Sequence, residues 1–143
     1  MVGILILTHG GMAPELLAAA RRIAGPLDGF EALALDWNDS VEEADAQVTE
    51  ALARLDAGHG VLVLTDIFGG TPSNIAMKHR APERVEVISG VNLPMVVRLG
   101  CQFTSHPEPM PLSDLTRWIE KKAQSSICSS LDPRAACARQ NKC

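Results

Sequence analysis

Aliphatic residues dominate four short stretches of the chain, and longer amphipathic segments separate these stretches. They cover residues 2–7, 30–35, 61–64 and 84–88, and each predicts a strand. The first and third are almost continuously apolar, which is typical of strands buried on both faces of a parallel sheet. Strands that alternate with helices predict an α/β fold, with a doubly wound, mostly parallel sheet and helices on both of its faces.

The segments between the strands carry helix signals. Pro14 can begin a first helix, and the Gly-Pro pair at residues 25–26 ends it. Ser40 and Glu43 have the spacing of a capping box and predict the start of a second helix. Thr71 is followed by a proline, which predicts a short third helix with Thr71 as its N-cap.

The C-terminal third of the chain has a less regular pattern. A helical segment over residues 92–99 is expected to end at the following glycine. Residues 101–111, rich in proline and polar residues, predict a connection or an antiparallel strand at the edge of the sheet. Apolar residues then recur at helical spacing up to residue 123. We predict one domain over residues 1–123 and a disordered tail over residues 124–143.

Composition limits the function classes. With 143 residues, of which 46% are hydrophobic, the chain is long enough for one domain with a core. It contains no apolar run of transmembrane length and no signal-peptide pattern, so we expect a cytoplasmic protein without membrane insertion. The net charge is −4 and the basic residues are scattered, a pattern that gives no indication of nucleic-acid binding.

The cysteines suggest neither a metal site nor a redox motif. They are Cys101, Cys128, Cys137 and Cys143, and none has a neighbour at CxxC spacing. Zinc sites require paired ligands, so we predict no metal site. We expect free thiols in a reducing compartment, with Cys101 in a structural role.

Two predicted strands end in an abrupt change from apolar to polar residues. Thr8 and His9 follow the first strand, and Asp66 follows the third. In open α/β sheets ligands bind beyond the carboxyl ends of the strands, so we expect His9 and Asp66 to meet there. A carboxylate that accepts a hydrogen bond from one imidazole nitrogen leaves the other nitrogen free to react. For His9 alone, the alternative is a hydrogen-bonded loop histidine.

The segment after Asp66 has the features of a phosphate site. Gly69 and Gly70 permit a tight turn and a close approach of the backbone to a ligand. The first turn of the next helix would present free N–H groups to a phosphoryl group. The hydroxyls of Thr71 and Ser73 could act as further hydrogen-bond donors. Neither the Walker pattern nor GxGxxG is present, which disfavours nucleotide binding. A turn followed by a helix cap is the alternative that needs no ligand.

Other polar residues are weaker candidates. Asp36 follows the second strand and is interpreted as a loop residue rather than a site residue. His59, His79 and His106 stand beside glycine, basic residues or proline and are predicted to be solvated. Ser73 is not part of a GxSxG elbow, so a serine hydrolase is not supported.

Three segments together resemble the IIA component of the mannose class of the bacterial phosphoenolpyruvate-dependent sugar phosphotransferase system (PTS). They are residues 7–10, 64–74 and 87–95, which occur in the family's order and spacing. The patterns DxxGGTPxN and GVNLPM are the most specific of these pieces. The resemblance implies a flavodoxin-like fold and a homodimer in which a late antiparallel strand is exchanged. After residue 99 the chain departs from the family pattern.

The resemblance also implies a mechanism. His9 would accept a phosphoryl group from the phosphohistidine of HPr and pass it to a separate IIB protein, with Asp66 orienting His9. Thr8, Gly69, Gly70, Thr71 and Ser73 are the predicted phosphate-binding residues, and no metal or other cofactor is implied. Three alternatives stay open: a standalone regulatory IIA-like phosphoprotein, a dihydroxyacetone-kinase-type phosphotransfer subunit, and a module that binds an anion without covalent labelling.

Overall fold

The computed structural model describes residues 1–106, 108 and 110–131 of the chain. Within them strands and helices alternate up to β4, and two further helices follow, as the hydrophobic pattern predicts. The elements are β1 (Gly3–His9), α1 (Met12–Ala24), β2 (Phe30–Leu35), α2 (Val41–Leu55), β3 (Val61–Thr65), α3 (Thr71–Lys78), β4 (Val85–Ser89), α4 (Leu93–Ser105) and α5 (Leu112–Gln124).

The strands form one parallel sheet in the order β2-β1-β3-β4, which is a flavodoxin-like arrangement. The chain first moves from β1 to β2 and then crosses to the other side of β1 to form β3, so the point where the order reverses lies between β1 and β3. Leu7 of β1 pairs with Thr65 of β3. The residues that follow these two strands therefore leave the sheet side by side, at the position where such folds bind ligands.

Two hydrophobic clusters cover the two faces of the sheet. Alternate side chains of β1 point to opposite faces, so Ile4 and Ile6 belong to one cluster and Leu5 and Leu7 to the other. Helices α1, α4 and α5 cover the first face, and α2 and α3 cover the second. Burial on both sides explains the continuous aliphatic run of β1. None of the helices in this part of the chain combines the length and apolar character needed to cross a membrane.

The prediction of an antiparallel edge strand is wrong. In the described residues the sheet has four strands, and all of its strand pairs are parallel. Helix α4 does not end at Gly100 but continues to Ser105. A Cβ at Gly100 would lie 2.3 Å from Leu27 Cδ2. Gly100 therefore provides space for the packing of α4 against the segment after α1, a role that its sequence context does not reveal.

The predicted N-cap agrees with the structure at α2 and lies one residue too late at α3. The Ser40 hydroxyl accepts the Glu43 N–H at 3.1 Å, and the Glu43 carboxylate accepts the Ser40 N–H at 2.8 Å, so the capping box is confirmed. The N-cap of α3 is Gly70, which has an extended backbone, and Thr71 is already helical.

The structure corrects the expected state of two cysteines. Cys101 and Cys128 are both disulfide-bonded, so the prediction of free thiols is wrong for them. Disulfide pairing depends on which sulfur atoms meet in space, and the absence of CxxC spacing does not bear on it. Cys137, Cys143 and the predicted tail from residue 132 onward lie outside the described residues.

Candidate active site

The His9 side chain leaves the carboxyl end of β1 beside the residue that follows β3. Its Nδ1 atom lies 2.7 Å from Asp66 Oδ2, and its backbone N–H donates a hydrogen bond to the same oxygen at 2.9 Å. The structure thus brings together two residues that are 57 positions apart, as the strand ends predict. Both side chains are partly buried, with exposed fractions of 24% for His9 and 13% for Asp66.

The charge of Asp66 determines which nitrogen of His9 is free. Burial by itself would raise the pKa of the Asp66 carboxyl, but hydrogen bonds from the backbone and ring of His9 and from the Ile67 N–H outweigh it. The net result is a pKa below the usual 3.8. An ionised carboxylate accepts hydrogen bonds and donates none, so the His9 ring presents Nδ1–H to Asp66. A neutral ring then carries its lone pair on Nε2.

Gly70 lies against the edge of the His9 ring that contains Nε2. A Cβ at this position would come 2.7 Å from His9 Cε1 and 3.4 Å from His9 Nε2. The Gly70 backbone has φ −75° and ψ 168°, which any residue can adopt. Glycine is therefore needed here for space. Gly69, in contrast, has a φ of 82°, which favours glycine whatever the surrounding space.

Helix α3 begins directly after Gly70 and adds an electropositive end to the site. Pro72 has no N–H, and the N–H groups of Thr71 and Ser73 lie in the first turn, where a helix offers no carbonyl partner. These groups and the helix dipole favour an anion at this point. The free nitrogen of His9 and the start of α3 are both next to Gly70, so the geometry suits an anion held close to Nε2.

Two of the predicted phosphate-binding hydroxyls have other partners in this structure. Thr8 is fully buried, and its Oγ1 accepts the Ala13 N–H at 2.8 Å at the start of α1. Ser73 is also buried, and its Oγ lies 3.2 Å from the Ser89 Oγ at the end of β4. Thr71 is exposed. Among the three hydroxyl residues of the prediction, Thr71 is thus the one that faces solvent beside the site.

Trp37, which is not among the predicted site residues, contacts His9. Its indole ring stacks on the imidazole with 5.1 Å between the ring centroids and 21° between the planes. Trp37 follows β2, which pairs with β1. The reasoning from strand ends that selected His9 and Asp66 applies equally to this position, and an aromatic residue there was the available signal.

The remaining polar candidates lie outside this site. Asp36 accepts the Asn38 N–H at 2.8 Å within its own turn, so its interpretation as a loop residue is confirmed. The prediction of a solvated His79 is wrong, because its Nε2 lies 2.9 Å from Asp45 Oδ1 and links α3 to α2. In the described parts of the chain, no three His, Cys, Asp or Glu side chains are grouped so that they could hold a metal ion.

Comparison with known proteins identifies the family. The model of the family EIIA-man, described as PTS system fructose IIA component, matches residues 3–106. The chain belongs to this family. The matched range runs from the start of β1 to the residue after α4, so it includes His9, Asp66 and the turn into α3. This EIIA-man chain is a IIA component of the mannose class, and its membership supports a phosphoryl carrier of the sugar PTS.

Relatives of known name and solved structures agree with this assignment. The PTS system fructose-specific EIIA component of Bacillus subtilis (strain 168) is 28% identical over 144 residues, which cover 99% of this chain and 96% of that protein. The PTS system mannose-specific EIIAB component of Escherichia coli (strain K12) is 36% identical over 97 residues, 67% of this chain and 30% of that protein. The mannose/sorbose specific IIA subunit from Enterococcus faecalis has a TM-score of 0.78 at 26% identity, over 93% of this chain and 97% of that chain.

Proposed function

We propose that this protein carries a phosphoryl group on Nε2 of His9, which it accepts from the phosphohistidine of HPr and passes to a IIB protein or domain. The observation that carries the proposal is the 2.7 Å contact between His9 Nδ1 and Asp66. This contact leaves Nε2 with its lone pair, next to Gly70 and the start of α3. A nucleophile and an anion-binding helix end are the two parts that phosphoryl transfer needs most.

In the proposed step the lone pair of His9 Nε2 forms an N–P bond while the N–P bond of the donor breaks in line with it. The electron pair of the broken bond stays on the departing imidazole of HPr. His9 keeps its Nδ1 proton, so the phosphorylated ring carries a positive charge. The ionised Asp66 lies against this proton and stabilises the cation. Transfer to the IIB protein reverses the same changes.

The first turn of α3 is proposed to bind the phosphoryl oxygens. The N–H groups of Thr71 and Ser73 are donors of fixed position, and they require no rearrangement when charge develops on the oxygens. The exposed hydroxyl of Thr71 can provide a further donor. Because phosphoryl transfer between imidazoles involves little other covalent chemistry, the contribution of the protein is mainly positioning and charge stabilisation.

We further propose that the protein forms a homodimer. We also propose that it exchanges phosphoryl groups with HPr and IIB in the cytoplasm. Among the four strands of the described part of the chain, β4 pairs with β3 alone, and an isolated antiparallel bridge to Ala81 occupies its first residue, Val85. The outer edge of β4 beyond Val85 can accept a strand from a second copy. Sedimentation equilibrium of the full chain should give twice the 15.3 kDa monomer mass. A monomer at all concentrations tested would contradict this proposal and leave the phosphoryl site unaffected.

Phosphorylation of the purified protein tests the proposed function directly. Incubation with phosphoenolpyruvate, Enzyme I and HPr should add one acid-labile phosphoryl group, detected by intact mass. The His9→Ala variant should gain none, whereas His59→Ala, which changes an exposed histidine, should be labelled normally. Normal labelling of His9→Ala would overturn the proposal, and anion binding without labelling of the wild type would indicate a binding module instead.

A further inference from the structure

We propose that Trp37 is a positioning residue that stabilises the phosphorylated, cationic form of His9 by stacking on its imidazole ring. The inference rests on the proposed function, because the cation in question arises when Nε2 is phosphorylated. The stacked geometry, with 5.1 Å between the ring centroids and 21° between the planes, is the observation that carries it.

Three contacts together define the orientation of the His9 ring. Asp66 holds Nδ1, the Gly70 backbone borders the edge at Cε1 and Nε2, and Trp37 covers one face. The first two contacts set the rotation of the ring within its plane. The stack sets the tilt of that plane, and so it aims the Nε2 lone pair.

Trp37 lies in a turn whose hydrogen bonds do not involve its side chain. The Asp36 carbonyl accepts the Asp39 N–H at 3.2 Å, and the Asp36 carboxylate accepts the Asn38 N–H at 2.8 Å. The Asp39 carboxylate accepts the Asp36 N–H at 3.2 Å and the Gln47 side-chain N–H at 3.2 Å. The turn should therefore keep its shape when the indole is replaced.

Folding alone does not account for a large aromatic side chain at this position. Trp37 is 77% exposed, so it buries little of its surface in the fold. An indole face attracts a cation more strongly than the other aromatic side chains do. The phosphorylated His9 ring is such a cation, since it keeps its Nδ1 proton next to Asp66. The stack should consequently favour the phosphorylated protein over the unphosphorylated one.

The equilibrium of phosphoryl exchange with HPr tests this inference. The equilibrium constant for phospho-HPr plus this protein, giving HPr plus the phosphoprotein, should fall about two- to fivefold in Trp37→Leu, as expected for an exposed cation–π contact. Trp37→Phe should give a smaller decrease. Trp118→Leu, in α5, removes an indole that packs against the core away from His9 and should leave the constant unchanged in a folded protein.

The equilibrium constant distinguishes the proposed role from a role of Trp37 in docking. An indole that only binds a partner protein would change the forward and reverse rates by the same factor and leave the constant unaltered. An unaltered constant in Trp37→Leu would therefore overturn the inference. A wild-type protein that takes up no phosphoryl group would contradict the proposed function, and the inference with it. If the wild type is labelled and the constant of Trp37→Leu is unaltered, the inference about Trp37 fails while the proposed function stands.

The stack can also be measured without phosphorylation. The indole ring current should shift the ring-proton resonances of His9, and these resonances should move in Trp37→Leu but not in Trp118→Leu. The backbone spectra of the variants show whether each one is folded. Unmoved His9 resonances in a folded Trp37→Leu protein would mean that the rings do not stack in solution, which would also overturn the inference.

Discussion

Gly70 is the residue at which the smallest change should affect the proposed site most directly. In Gly70→Ala the added Cβ would lie 2.7 Å from His9 Cε1, so the ring or the turn must move. Overpacking of this kind costs about 1–3 kcal/mol of folding stability. Because a misplacement of a reacting group by about 1 Å can lower a rate about 100-fold, we expect the phosphorylation rate to fall by up to about 100-fold. The initial rate of labelling of Gly70→Ala by phospho-HPr, compared with that of the wild type, measures this decrease.

Gly11→Ala is the matched control for that change. Gly11 also has a negative φ, −78°, and a Cβ there would meet no atom within 4 Å. Its variant should be labelled at the wild-type rate although it lies only two residues from His9. Equal rates for the two variants would show that the space beside the ring is not critical.

The Asp66 carboxylate should make the stability of the fold depend on pH. Its pKa is lower in the folded chain than the unfolded value of about 3.8, so its ionised form stabilises the fold above that value. This contribution is lost as the pH falls through the folded pKa. The difference in unfolding free energy between the wild type and Asp66→Asn should thus be largest near neutral pH and shrink below about pH 4. Urea titrations over a pH series measure it, and a constant difference would contradict the expectation.

Single residues also show what the sequence could and could not predict about the site. His9 and Asp66 were predictable because a polar residue after a buried strand has a known place at the edge of a parallel sheet. The directions of the Thr8 and Ser73 hydroxyls could not be predicted, because they depend on which N–H or hydroxyl is nearest in the folded chain. Trp37 follows β2, so the same reasoning could have selected its position, but the stacking of its ring on His9 depends on how the two rings lie in the folded chain.

At the scale of elements, Thr8 links the end of β1 to the start of α1. Its Oγ1 accepts the Ala13 N–H at 2.8 Å in a fully buried position. Thr8→Val keeps the shape but removes the acceptor, so a buried donor is left unsatisfied at a cost of about 1–3 kcal/mol. Urea unfolding followed by circular dichroism should show this decrease, and Thr8→Ser, which keeps the hydroxyl, should recover much of it. Equal losses in both variants would contradict a role of the hydrogen bond.

Elements with strong local signals were predictable, and those that depend on distant packing were not. The capping box of α2 is a local pattern and appears in the structure as predicted. The continuation of α4 through Gly100 depends on the position of Leu27, which is far away in the sequence. A glycine followed by polar residues therefore resembled a helix end, and the following stretch resembled an edge strand.

At the scale of the whole molecule, α5 extends the fold beyond the family match. It lies outside residues 3–106, yet Leu112, Leu115 and Ile119 are fully buried in the cluster that α1 and α4 share. Leu115→Ala should lower the unfolding free energy by about 2–5 kcal/mol, with one cooperative transition in urea, because α5 closes this face of the sheet. Lys121→Ala, exposed on the same helix, should change it by less than about 0.5 kcal/mol. If Leu115→Ala left the main transition unchanged, α5 would not belong to the domain predicted over residues 1–123.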